Sequence, residues 1–463
     1  MGACTDLPGQ KVHSFSLAQQ TWNSFSGLTV PSFEEVMKQA GISIEREVLP
    51  NGLVLVAEHM PHMRSVAIGI WVRAGSRGEP AGLNGIAHFI EHMVFKGTSR
   101  RTAEQIAREM DSVGGLLDAF TSKEMVSFNA KVLDENLPIA FDVLSDLVLG
   151  PLFAEEDIAK EKQVILEEIR MEDDNPESLA HEMLTQSFWR GHPLGAPILG
   201  TRGTVRRFTR RSIVDCFERW YRPQNTVITA AGNVHIRGLL DLADRSFAAR
   251  KSKPQASPNS RTAPHTHARL IMRSKPGLEQ AHITLAVPSY PLAHPRRYAA
   301  SVLNNILGGS MSSRLFQNIR ERQGLAYAVF SELNPYSDAG MLSVYAGTGR
   351  STTGRVLRSI AQEFARLKKE LVGADELRRA KDQLKGSLVL SLESPGARMS
   401  NLARQEIYFG RFFSVEELHA SIEAVSAEDV QQTAREFFES RKIAATVVGP
   451  LDGFKLERDL LAC

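Results

Sequence analysis

The sequence predicts an α+β protein made of two similar α/β domains, each a sheet packed with helices. Three observations carry this expectation. The chain has 463 residues, too many for one ordinary hydrophobic core, which implies two or more domains. Residues 209 to 232, "TRRSIVDCFERWYRPQNTVITAAG", and residues 426 to 449, "SAEDVQQTAREFFESRKIAATVVG", share one plan at an offset of 217. Each opens on a Ser/Thr N-cap, runs through an amphipathic helix to an aromatic pair (Trp220/Tyr221 and Phe437/Phe438), then turns into a β-rich strand ending on glycine. Between the copies, "RKSKPQASPNSRTAPHTHA" (250 to 268) has the proline, serine and charge of a linker. The expected order is an N-terminal extension over 1–42, a first domain over 43–250, a linker over 251–267 and a second domain over 268–463.

Composition narrows the function classes. With 43% hydrophobic residues, 23% charged residues and a net charge of +2, the chain reads as a soluble globular protein with no general affinity for nucleic acid or anionic membrane. No run of 18 or more apolar residues is present, so no membrane span is expected. Cys4, Cys216 and Cys463 lie far apart and form neither a disulfide framework nor a metal-ligand spacing. The first 40 residues have no secretory h-region and no arginine, and Asp6 stands where acylation of Gly2 would favour Ser or Thr. A reduced, cytoplasmic setting is the expectation.

In the first domain, "HFIEHMVFKG" (88 to 97) places His88 and His92 four apart with Glu91 directly before the second. The apolar residues Ile86, Phe89, Ile90, Met93 and Val94 recur at helical spacing, with Asn84 as the expected N-cap and Gly97 as the stop. On a helix the two imidazoles share one face and can hold one ion, with the Glu91 carboxylate beside it. Such a pentapeptide arises by chance in roughly one chain in fifty of this composition. A third ligand is therefore the discriminating requirement, because a hydrolytic zinc site usually has three protein ligands and an open position for water.

The next element, "GGLLDAFTSKEMVSFNAKV" (114 to 132), alternates like a half-buried strand, and such an edge can bind a peptide through main-chain hydrogen bonds. Residues 154 to 173, "AEEDIAKEKQVILEEIRMED", read as a long helix with Ile158, Val164, Ile165 and Ile169 at its apolar positions. Glu161, Glu168 and Glu172 share one of its faces, and composition does not choose among them as the third ligand. In the second half, "ADELRRAKDQLKGSL" (374 to 388) is the counterpart of that helix, with Ala380 in place of Glu161 and Ser387 in place of Glu168. The segment "YAASVLNNILGGSM" (298 to 311) has no His-x-x-Glu-His either, so the second half closes a chamber or holds substrate. "RERQGLAY" there sets Arg320 and Tyr327 seven apart, two donors suited to a peptide carbonyl.

The inverted motif His-x-x-Glu-His, paired with a glutamate on an "EKQVILEEI" helix, resembles the pitrilysin-type zinc metallopeptidases, in particular their processing-peptidase-like short-chain branch. Further blocks resemble the family in the family's order: "VLPNGLVLVAEHMP" (48 to 61), "SVAIGIWVRAGSRGEP" (65 to 80), "GLNGIAHFIEHMVFKGT" (82 to 98), "DAFTSKEMVSF" (118 to 128) and "SSRLFQNIRERQGLAYAV" (312 to 329). The resemblance spans about residues 43 to 455. It selects Glu168, 76 positions after His92, as the third ligand, and Glu161 as the glutamate that steadies a histidine. It implies one Zn2+ per chain in the first domain, Glu91 as general base, and a peptide or unfolded polypeptide as substrate. It also implies a homodimer whose partner subunit supplies Arg320 and Tyr327 to the substrate. Asp118 and Ala119 match the family's substrate-binding edge, where relatives commonly have Asn before the Ala. The basic-residue recognition of processing peptidases maps to Ser178 and Glu182, with Glu177 one place off, so one acid is missing. The alternative is a non-catalytic partner or structural subunit of a peptidase-like complex, members of which typically lose zinc residues that this chain keeps.

Overall fold

The computed structural model describes residues 43–250 and 263–463. The expected N-terminal extension and residues 251–262 of the expected linker lie outside the described residues.

Two sheets with one topology organise the chain. In the first, Ser43–Val48 (β1), Val54–His59 (β2), Ser65–Val72 (β3), Leu116–Thr121 (β4), Val126–Leu133 (β5) and Thr226–Gly232 (β6) are ordered β1-β2-β6-β3-β5-β4. In the second, Leu270–Ser274 (β7), Gln280–Ser289 (β8), Ala326–Pro335 (β9), Gly340–Gly349 (β10) and Ala444–Gly449 (β11) are ordered β7-β11-β8-β10-β9. Without β1 the two orders superimpose strand for strand, and each sheet has a single parallel pair, β2 with β6 and β7 with β11. The internal repeat read from the sequence is thus a repeat of topology.

The repeated helix–strand unit shows why the pattern recurs. Thr209 and Ser426 each cap their helix with a capping box that satisfies otherwise orphaned N–H groups. The strands that follow end on Gly232 (φ +128°) and Gly449 (φ +157°). A side chain at Gly232 would meet the Ser65 carbonyl oxygen at 2.2 Å, and one at Gly449 the Ala281 Cα at 2.7 Å. Close approach of the neighbouring strand therefore demands glycine at both positions.

One face of the first sheet buries a large apolar cluster under the helices of its own half, with Phe89, Phe141, Phe208 and Trp220 inside it. The opposite face is covered by a helix from the second half, Pro395–Tyr408. There Met399 packs in a cluster with Trp71 and Val227, and the Thr229 hydroxyl donates to the Met399 carbonyl at 3.0 Å. The exchange is reciprocal. Helix Pro176–Phe188 of the first half lies on the second sheet, where Leu184 and Phe188 pack with Ala286, Met341 and Ala444. The Thr284 hydroxyl donates to its Ala180 carbonyl at 3.1 Å. The two exchanged helices start 219 residues apart, each with proline at its first position behind a capping Asn175 or Ser394.

Ion pairs fasten the exchange. Arg46 forks onto the buried Glu406 at 2.8 and 3.0 Å, Arg73 joins it at 3.3 Å, and Arg398 binds Glu58. Arg77, fully buried, spans Glu124 at 2.8 Å and Asp338 of the second half at 2.6 Å. Removing one member of a buried pair leaves an uncompensated charge. Arg77→Ala is therefore expected to lower the unfolding free energy by about 3–5 kcal/mol, read as a lower midpoint in a guanidinium denaturation series.

Candidate metal centre

The motif helix runs from Ile86 to Val94 and buries Ile86, Phe89, Ile90, Met93 and Val94, as the periodicity predicts. Its start differs from the expectation. The N-cap is Gly85 at φ +93°, with no side-chain cap of its own, while the Asn84 amide donates to Glu79 and to the Pro197 carbonyl. The capping acceptor is the Glu79 carboxylate, which receives the Gly85 N–H at 2.8 Å and the Ala87 N–H at 2.9 Å. Gly85 cannot be replaced without strain, because a Cβ there would stand 2.6 Å from the Gly200 Cα. The chain thus trades a local cap for a remote one and gains close packing against the 195–200 loop. Burial pushes the Glu79 carboxyl up to about 7, against the hydrogen bonds from Ala87, Gly85 and Asn84. The helix also stops sooner than expected: Phe95 is its C-cap, and Gly97 (φ +131°) begins the turn that bridges to Thr102.

The long helix runs from Glu155 to Asp174. Ile158 and Ile165 are buried, whereas Val164, read as an apolar packing position, is 43% exposed. Its Glu168 carboxylate meets both histidines, with Oε2 at 3.9 Å from His88 Nε2 and Oε1 at 3.6 Å from His92 Nε2. One donor atom from each of His88, His92 and Glu168 lies within 4.8 Å of the others, and among the described residues no other such group of ligands occurs. Tetrahedral zinc with bonds of about 2.0–2.1 Å sets its donors roughly 3.4 Å apart, so the observed spacings fit an ion with small adjustment. Glu168 Oε2 and His88 Nδ1 are buried without hydrogen-bond partners. The carboxylate oxygen therefore suits an ion, which would also relieve the cost of leaving it unpaired.

The surroundings set the orientation and charge of the two imidazoles. Glu161 Oε1 accepts from His92 Nδ1 at 2.8 Å and Glu161 Oε2 pairs with Lys96 at 2.7 Å, which turns the free Nε2 of His92 toward Glu168. Burial drives the His88 imidazole down to about 3, with His92 adding to the effect, so its lone pair is available. Burial also opposes protonation of His92, but the Glu161 hydrogen bond and the Glu168 and Glu91 carboxylates outweigh it and shift that ring upward. Glu161 itself stays below the usual carboxylate range, because His92 and Lys96 overcome its desolvation. Glu172 lines the neighbouring cavity and does not belong to the ligand group.

Glu91 is buried beside this group and accepts a hydrogen bond from the Thr121 hydroxyl. Desolvation raises its carboxyl, helped by Asp118 and Glu168 and opposed by Thr121 and His92. A base near the metal with an elevated pKa is suited to carry a proton at neutral pH.

His88 and Glu91 open into a cavity of about 770 Å³ between the two halves. Ala119, Thr121, Glu177, Ser178, His181 and Glu182 line it from the first half, and Phe330, Glu332, Tyr336 and Tyr345 from the second. Ala119 and Thr121 belong to β4, which is an edge strand as the substrate reading requires, while the Asp118 side chain is exposed on its other face. Arg320 and Tyr327 are not at this centre. Arg320 lies in a π-helix, Phe316–Arg322, with its guanidinium 4.9 Å from the Tyr327 ring centroid, and both line a separate cavity of about 370 Å³. Tyr327 is 78% exposed.

Four contributors escape the sequence reading. Lys96 could be found, since it continues the His88–His92 face one turn on. Thr121, Glu79 and Lys123 carry no local signal. The Lys123 amine donates to the Ala196 carbonyl in this cavity and is held down to about 8 by burial.

A family model described as "Insulinase (Peptidase family M16)" matches residues 54–202, and one described as "Peptidase M16 inactive domain" matches 207–384. The zinc protease YmxG of Bacillus subtilis, itself uncharacterized, is 40% identical over 407 residues, covering 88% of this chain and 98% of that one. This chain belongs to peptidase family M16. The pitrilysin-type resemblance and the two-domain α+β fold are thereby established. Another relative, the uncharacterized zinc protease SCO5738 of Streptomyces coelicolor, is 39% identical over 415 residues, covering 88% of this chain and 90% of that one. Among solved structures, a protease from Helicobacter pylori shares this fold at a TM-score of 0.83 and 21% identity, covering 88% of this chain and 99% of that chain. A chain of Complex III2 from Candida albicans shares it at 0.78 and 21%, covering 91% and 100%. Ala380, inside the second match, and Ser387, just beyond it, stand 219 residues after Glu161 and Glu168.

Zinc affinity is expected to fall roughly 10–100-fold in Glu161→Gln and to stay unchanged in Glu172→Gln, measured by competition with a chromogenic chelator. Glu79→Ala, which removes the remote cap, is expected to cost about 1–2 kcal/mol of stability in a denaturant titration.

Proposed function

We propose that this chain is a zinc-dependent endopeptidase that cleaves peptides or unfolded polypeptide segments inside an enclosed chamber. The observation that carries the reading is the buried, desolvated Glu91 carboxylate beside a three-residue group able to hold a metal ion, at the wall of a cavity of about 770 Å³. His88, His92 and Glu168 would hold one Zn2+ per chain. When bound, the ion lowers the pKa of a coordinated water toward neutrality and polarises the scissile carbonyl.

The chain's own residues account for the rest. Glu91 accepts a proton from the attacking water and delivers it to the leaving amine, with Thr121 fixing the carboxylate's direction. The exposed edge of β4 binds an extended segment through its backbone, so affinity comes from main-chain hydrogen bonds and little from sequence. Glu161 keeps His92 oriented. Arg320 and Tyr327, remote from this chain's own centre, serve the centre of a second copy, where the phenol and guanidinium donate to the carbonyl oxygen as charge develops. On this reading the working form is a homodimer, and the proposed setting, from the cysteine usage, is a reduced, cytoplasmic one. The likeness to a respiratory-complex chain raises a purely structural role as the alternative, and the retained His88, Glu91, His92 and Glu168 speak against it.

Glu91→Gln is expected to keep zinc while losing at least a hundredfold in peptide cleavage, whereas His88→Ala, His92→Ala and Glu168→Gln lose the metal. Cleavage at the wild-type rate by zinc-loaded Glu91→Gln would refute the mechanism. Sharing of the site is tested by co-purifying differently tagged Glu91→Gln and Tyr327→Phe subunits. A mixed dimer has one complete centre and is expected to recover activity that neither parent shows. Verified mixed dimers no more active than the parents would refute the sharing.

A further inference from the structure

The second half contains a cavity that peptide hydrolysis does not use. It measures about 460 Å³, and Arg314, Arg322, Arg366 and Arg379 line it together with Glu363 and Glu376. Its walls are the π-helix Phe316–Arg322, the helix Thr353–Lys369 and the first turns of the helix Ala374–Ser391.

Four guanidinium groups thus face two carboxylates. Arg314 forks onto Glu376 at 2.8 Å through Nε and through Nη2, but its Nη1 is buried without a partner. Arg366 reaches Glu363 at 3.2 Å and Glu370 at 3.6 Å. Arg322 and Arg379 have no carboxylate partner among the described residues and are exposed, free to close over a ligand. Glu363 is spoken for by Asn318 and Arg366 through Oε1, while its buried Oε2 lacks a donor. An anion therefore seats against Arg314, Arg322 and Arg379, and a ligand hydroxyl suits Glu363.

A cavity of the first half offers a comparison. It measures about 490 Å³ and is lined by Arg100, Arg101, Gln105, Arg108 and Glu109. Every arginine there is paired: Arg100 with Asp142 at 2.8 Å, Arg101 with Glu109 at 2.6 Å and Asp146 at 2.9 Å, Arg108 with Glu104 at 2.6 Å. The second-half cavity, by contrast, leaves guanidinium forks over. Crowding like charges in one concavity is unfavourable unless a counter-anion offsets it, and the planar fork matches phosphate oxygens two at a time.

We infer that this cavity binds a small organic phosphate carrying two phosphoryl groups and hydroxyls, held by Arg314, Arg322 and Arg379. Its position gives such a ligand a consequence for the proposed peptidase site, and that consequence rests on the reading above. Gln317, Asn318 and Arg322 of the π-helix line this cavity, while Arg320 of the same helix lines the cavity that holds Tyr327. A ligand bridging Arg322 to the neighbouring helices would stiffen the segment that presents Arg320.

The test uses the zinc-loaded chain and fructose 1,6-bisphosphate, a hydroxyl-bearing bisphosphate, by titration calorimetry at ionic strength matched with sodium chloride. The wild type is expected to bind, and Arg322→Gln/Arg379→Gln to bind at least tenfold more weakly. Arg108→Gln, which alters the paired cavity, is expected to bind as the wild type does. Amide hydrogen exchange of residues 316–327 is expected to slow on ligand addition in the wild type and not in the double variant, a readout independent of peptidase activity. Absence of binding at millimolar bisphosphate, or equal affinity in the double variant, would overturn the site. Unchanged exchange in a ligand-saturated wild type would overturn its link to Arg320.

Discussion

Neither sheet can bury its second face with helices of its own half, and each borrows a helix from the other. Helices Pro176–Phe188 and Pro395–Tyr408 make this exchange. The first matters most for the metal centre, because Asn175 is both the C-cap of the Glu161–Glu168 helix and the N-cap of the exchanged helix. The helix that carries Glu168 is thereby continuous with a helix clamped on the other sheet. Among the described residues the second half has no such group of ligands, yet it braces the helix that carries Glu168. The same exchange encloses the cavity, since β9 and β10 of the second sheet supply the wall facing His88 and Glu91.

Burial then differentiates groups that look alike in sequence. Three carboxylates surround the two histidines, and their environments set them apart. Glu161 lies between His92 and Lys96 and is held ionised, Glu168 is half-exposed and lacks a partner on one oxygen, and Glu91 is desolvated against a single hydroxyl donor. These environments fit the roles proposed for them: orienting His92, coordinating an ion and exchanging a proton. Solvent and partner geometry make these assignments, and residue type alone would not.

The sequence showed what is periodic or motif-borne. The repeat at 209–232 and 426–449 was legible because capping boxes and strand-ending glycines are local requirements, and both copies occupy equivalent places in their sheets. His88, Glu91 and His92 were legible because helical spacing fixes which side chains share a face. The choice of Glu168 over Glu161 and Glu172 needed family resemblance, since three acids on one face are equivalent until a partner distinguishes them. Asn84 was misread as the cap because the cap is remote: Glu79 reaches it through a fold of the chain that no local pattern records. The exchanged helices were also invisible, as an amphipathic helix reveals that it has a buried face and not which sheet will cover it.

The central claim, that one zinc ion held by His88, His92 and Glu168 makes this chain a peptidase, is tested most directly by metal reconstitution. The purified chain is stripped with a chelator, zinc is returned in measured steps, and cleavage of a quenched fluorescent peptide library is followed alongside bound metal. The account predicts no cleavage in the stripped chain and activity rising in proportion to bound zinc up to one ion per chain. Undiminished cleavage after complete removal of metal, or none at one bound zinc per chain, would contradict it.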